Sequence, residues 1–116
     1  MTKTDDLIVG RMLIGGQLVE SNSGAWRDTI NPATEELIGR VPEGGKAEID
    51  AAVSAAKAAL EGPWGKLTVP QRTDLLAAVA DEINNRFDDF LAAECLDTGK
   101  PYSLASHIDI PRGAAN

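Results

Sequence analysis

At Lys46 the period of apolar residues changes: short strand-like runs give way to a recurrence at every third or fourth position, so the chain reads as strands followed by helices. Before that point the pattern is of short strands. Met12–Ile14 and Gln17–Val19 flank Gly15-Gly16, a pair able to take the positive φ angles of a two-residue hairpin turn. The polar run Glu20–Gly24 predicts a further turn. Trp26–Ile30 and Leu37–Val41 predict two more strands around Asn31–Glu36, and residues 7–42 together predict a small antiparallel meander.

Beyond Lys46, Ile49, Val53, Ala56 and Leu60 recur at helical spacing, with Lys46, Glu48, Asp50 and Lys57 largely elsewhere on the wheel, until Gly62-Pro63 ends the helix. A second helical pattern begins after Pro70. It runs through Leu76, Val79, Ile83, Phe87, Phe90, Leu91 and Cys95 to Gly99, with Asn84-Asn85 as a place to break in two. Pro101 restarts the chain, and Ser103–Asn116 has helical composition bounded or kinked by Pro111. The last helix stops at Asn116 without a capping glycine or charged tail, so it is expected to be cut rather than ended. Of the apolar residues 17 are alanine and only five are aromatic, so the helical seams suit close approach but bury little area, and such helices are not stable alone.

Charge narrows the function. Asp and Glu number 18 against 11 Lys and Arg, a formal net charge of -7, and no basic run offers a face for a phosphate backbone; no nucleic-acid partner is expected. No stretch approaches the roughly 20 apolar residues that span a bilayer. Met1–Asp6 carries acid where a secretory leader carries base, and the expected location is cytoplasmic, with no membrane partner. The single cysteine, Cys95, excludes an intrachain disulfide and a multi-cysteine zinc site.

Cys95 and His107 could in principle form a nucleophile and base. Cys95, however, falls on an apolar helical seam between Leu91 and Leu96, where an unreactive thiol is the ordinary finding. Gly44-Gly45-Lys46-Ala47 lacks the remaining residues of a phosphate-binding loop, and no Gly-x-Gly-x-x-Gly occurs. Glu35-Glu36, Asp81-Glu82 and Asp88-Asp89 fit a solvated face. Asp109 and Arg112, three apart, allow two readings: a surface ion pair across one helical turn, or an arginine whose planar fork is offered to a substrate carboxylate.

Four segments then carry a resemblance: Ile14-Gly15-Gly16; Ile30–Pro42, which contains Asn-Pro-Ala-Thr-Glu-Glu; Ile49–Leu60 followed by Trp64; and Leu96-Asp-Thr-Gly-Lys-Pro101. Over nearly its whole length the chain resembles the N-terminal part of an aldehyde dehydrogenase. Glu94–Pro101 and Ser103–Asn116 are most similar to the branch that oxidises 2-hydroxymuconic semialdehyde in aromatic meta-cleavage degradation, with the 2-aminomuconic branch next.

The resemblance implies an incomplete α/β aldehyde dehydrogenase-like fold. Residues 1–116 would be one truncated domain, with hairpin and meander at 7–42 and three to four helices of the cofactor-binding domain at 46–116. It implies NAD(P)-dependent oxidation of an aldehyde, by attack of a cysteine thiolate and hydrolysis through a glutamate-activated water. Those two residues and the NAD-binding strands lie further along in family members, so the chain alone is expected to be inactive, with no catalytic or cofactor-binding residue of its own. Arg112 matches the arginine that binds the carboxylate of the semialdehyde. Thr29, Ile30 and Asp97 match positions that hold a structural sodium or potassium ion, for which carbonyl and carboxylate oxygens are compatible ligands. A homo-oligomer is implied for the complete protein. The competing expectation is a small helical module whose apolar seams dock a partner protein without catalysis.

Overall fold

The computed structural model describes residues 7–116, so the expectation about Met1–Asp6 lies outside the described residues. The chain divides into two compact units: the described residues up to Ile30 together with Leu37–Lys66, and Asn31–Glu36 together with Leu67–Asn116.

The first unit holds strands β1 (Ile8–Val9), β2 (Met12–Ile14), β3 (Gln17–Val19), β4 (Trp26–Ile30) and β5 (Leu37–Pro42), then helices α1 (Lys46–Leu60) and α2 (Pro63–Lys66). β2 and β3 form the expected hairpin, with Met12 opposite Val19 and Ile14 opposite Gln17. Gly15 and Gly16 take φ of 59° and 79°, the pair of positive values that a mirror-image type I turn demands. The predicted meander is instead divided. The hairpin is a sheet of its own, and β5 is the centre of a second sheet, antiparallel to β4 and parallel to β1. Gly39 makes the parallel pairing feasible: a Cβ there would run into the Ile8 carbonyl. Arg40 lies over the ring of Trp26, 4.6 Å from its centroid.

α1 begins where Gly45 leaves extended backbone, and Glu48 in its first turn reaches back to that start. Oε2 of Glu48 accepts from Gly45 N at 2.7 Å and Oε1 from Asn22 N at 2.9 Å. The turn that precedes β4 is thereby tied to the start of α1. Glu48 is buried although charged, and the backbone N–H groups of Asn22 and Gly45 hold its carboxyl below the usual carboxylate range.

The second unit holds α3 (Val69–Asn85), α4 (Phe87–Thr98), α5 (Tyr102–Leu104), a π-helical turn at Ala105–Asp109, and α6 (Ile110–Ala115). The long helical pattern breaks at Arg86, next to Asn84-Asn85, where φ −107° and ψ 28° leave the helical region. Thr68 and Gln71 cap α3 reciprocally: Gln71 N donates to Thr68 Oγ1 at 3.4 Å, and Thr68 N donates to Gln71 Oε1 at 2.9 Å. α4 ends at Gly99 in the left-handed region (φ 71°), as the sequence predicts.

The core of the second unit is formed by the buried Leu91, Ala105 and Ile110, with Ile83, Phe87 and Cys95 packed against them. Pro111, which lacks an N–H, lies in the first turn of α6 directly after the π-helical turn, and the chain stays helical through Asp109 and Ile110.

Candidate functional site

The residues that carry chemistry in the second unit gather around the π-helical turn. Ala105 and Ile110 bury their side chains on one side of this run, which leaves His107, Ile108, Pro111, Arg112 and Ala115 on another, where they line an open cleft of about 400 Å³. Arg112 is exposed there, and among the described residues no carboxylate lies within 4.0 Å of it. His107 is held by its own turn: its Nδ1 donates to the Ser103 carbonyl at 2.8 Å, with Ser106 Oγ 3.0 Å away.

Of the two readings of Asp109 and Arg112, the ion pair is not found. Asp109 turns to Lys100, whose Nζ lies 3.1 Å from Asp109 Oδ2 and donates to Glu94 Oε1 at 3.1 Å. Asp109 Oδ2 is enclosed and takes no hydrogen bond of good geometry, so the ammonium of Lys100 is the charge that compensates it. Pairing with Asp109 and then Glu94 holds the Lys100 ammonium above the usual lysine range. Sequence reasoning missed this cluster. Glu94 and Lys100 are six residues apart across a left-handed glycine, a spacing that no helical rule connects.

Cys95 is half-buried against Leu91, Ala105 and Ile110, and no hydrogen bond joins it to His107. It is a packing residue, as its place on the apolar seam predicts. Thr29 and Ile30 close β4 in the first unit, where the pairing with β5 shifts register between them. Asp97 is an exposed residue near the end of α4 in the second unit. Among the described residues no group of three or more His, Cys, Asp or Glu side chains could hold a metal ion, and no helix is long and apolar enough to cross a membrane.

The family model described as the aldehyde dehydrogenase family matches residues 18–116. The chain is 63% identical over 103 residues to a 2-hydroxymuconic semialdehyde dehydrogenase of Pseudomonas sp. (strain CF600), a match covering 89% of this chain and 21% of that protein. It is 46% identical over 106 residues to a 2-aminomuconic 6-semialdehyde dehydrogenase of Pseudomonas sp., covering 91% of this chain and 21% of the relative. Among solved structures, the NAD+ complex of an aldehyde dehydrogenase from Bacillus cereus superposes with a TM-score of 0.88 at 38% identity, over 92% of this chain and 22% of that one. The chain thus spans about a fifth of the length of the curated relatives it matches.

Proposed function

Because the chain belongs to the aldehyde dehydrogenase family, we propose that its 116 residues are the N-terminal part of a cytoplasmic, homo-oligomeric NAD-dependent enzyme, one that oxidises 2-hydroxymuconic semialdehyde or a closely similar semialdehyde to the acid. The observation that carries the substrate class is Arg112. Arg112 is exposed and lines a shallow, wide-open depression together with Ile108, Pro111 and Ala115, and its nearest carboxylate in sequence is engaged elsewhere. A planar fork presented this way suits a ligand that is short, partly apolar and ends in a carboxylate.

In this reading the chain contributes substrate recognition and leaves the reaction centre to other residues. NAD, when bound, accepts the hydride. In the same reading the nicotinamide cradle is supplied by other residues of the complete enzyme, and the described sheets here are a hairpin and a three-stranded mixed sheet. Cys95, packed into the second unit's core, is not assigned the nucleophile's part.

Steady-state kinetics of Arg112→Gln in the complete enzyme test the proposal. A charge-assisted pair contributes roughly 1.5–3 kcal/mol, so the KM ratio of a carboxylate-bearing semialdehyde to an uncharged aldehyde of similar length is expected to rise about tenfold or more. An unchanged ratio would remove Arg112 from the substrate site. The 116-residue chain alone is expected to give no NADH with the same substrate, and turnover by it would overturn the division of labour described above.

A further inference from the structure

Asp109 and Arg112 lie one helical turn apart, since the backbone stays helical through Asp109 at φ −69° and ψ −51°. At that spacing a carboxylate and a guanidinium ordinarily find each other. A carboxylate so placed is also a competitor: it offers the arginine the same two oxygens that a substrate would. Here the competitor is occupied, with its enclosed Oδ2 lying 3.1 Å from Lys100 Nζ.

Lys100 is itself held at both ends. Its backbone follows Gly99, where a Cβ would come within 3.1 Å of Ala33 and Pro32, so the chain passes close to that loop. Its ammonium donates to Glu94 Oε1 at 3.1 Å, which gives it a second anchor on α4. The two carboxylates and the one ammonium are only about a third exposed, so the pairing is better shielded from solvent than the outlying ion pairs, such as Arg27 with Glu43.

We propose that Lys100 is a positioning residue for the carboxylate site: by engaging Asp109 it keeps that side chain off Arg112 and leaves the guanidinium available to the substrate. The proposal rests on the reading of Arg112 as the substrate's carboxylate ligand. Without the ammonium, the enclosed Asp109 carboxylate loses its compensating charge, and Arg112 is the cation one turn away that can replace it. Arg112 would then be neutralised from within, and substrate would have to displace an intramolecular carboxylate. The effect falls on binding of carboxylate-bearing substrates, not on the reaction centre.

The test uses the complete enzyme and four variants, Arg112→Gln, Lys100→Met, Asp109→Asn and the double variant Lys100→Met with Asp109→Asn. Each is assayed on a carboxylate-bearing semialdehyde and on an uncharged aldehyde of similar length. Lys100→Met is expected to raise the KM ratio of the two substrates by about threefold to tenfold. Adding Asp109→Asn to it removes the competitor and is expected to bring the ratio back towards the wild-type value. A structural role for Lys100 gives no such rescue and impairs both substrates alike, which would overturn the proposal.

An unaltered ratio in Arg112→Gln would overturn the reading of Arg112 and this inference together. A raised ratio there, with Lys100→Met unchanged or unrescued, would overturn the inference alone. Should Lys100→Met fail to fold, Lys100→Gln takes its place in the single and double variants with the same expected rise and rescue. A rise in Asp109→Asn as large as that of Arg112→Gln would overturn the inference by showing that Asp109 supports Arg112 directly.

Discussion

Single residues in this chain are tied down by backbone groups as much as by each other. Glu48 is held by two N–H donors, and these favour its charged form, so its folded pKa lies below its unfolded one. The stability it contributes is complete above the ordinary carboxylate range and is lost as pH falls through the depressed folded value. Thermal melts between neutral and acid pH are expected to show a smaller acid-side loss in Glu48→Gln than in wild type; equal losses would contradict the assignment. Gly39 is a steric requirement of a different kind. Gly39→Ala drives a methyl into the Ile8 carbonyl and is expected to destabilise by roughly 1–3 kcal/mol, read as a lower melting temperature. The glycine that permits parallel pairing was visible in the sequence, but nothing near it indicated that β1 would come alongside.

At the scale of elements, helix starts and stops follow local chemistry closely. Thr68→Ala removes one half of the reciprocal cap on α3 and is expected to cost about 1 kcal/mol, with faster hydrogen exchange at Gln71 and its neighbours as the local readout. Unchanged exchange there would show that packing, not the cap, holds the first turn. The break at Arg86 and the stop at Gly99 are likewise local events. The division of the strands into two sheets is not. A strand of two residues such as β1 has too little pattern to announce a partner, and the choice between parallel and antiparallel pairing is made by the chain that arrives beside it.

At the scale of the molecule, the notable fact is how little apolar surface the chain covers by itself. Among the described residues Leu91, Ala105, Ile110 and Pro42 are the buried apolar side chains, while Leu60, Leu13, Val69 and Leu76 are each more than 60% exposed. Of these, Leu60 and Leu76 lie on the helical seams that the apolar spacing marks out for burial. The 116-residue chain by itself is therefore expected to bind an apolar dye and to melt over a broad range. A sharp, cooperative transition without dye binding would favour the independent-module reading over the enzyme-part reading.

Legible in the sequence from neighbours a few residues away were the Gly15-Gly16 hairpin, the span of α1, the stop of α4 at Gly99, the break near Asn84-Asn85, and Cys95 as a packing residue; the Thr68–Gln71 cap that starts α3 at Val69, ahead of Pro70, was missed. Its motifs also identified the family, because these short-range signatures recur together. The tertiary structure decided the rest. It placed β1 beside β5, bound Glu48 to a turn 26 residues earlier, and gave Asp109 to Lys100 instead of Arg112. Each of these is a contact between groups whose separation along the chain follows no helical or strand period. Only the path of the backbone brings such groups within reach, and short-range spacing carries no record of that path.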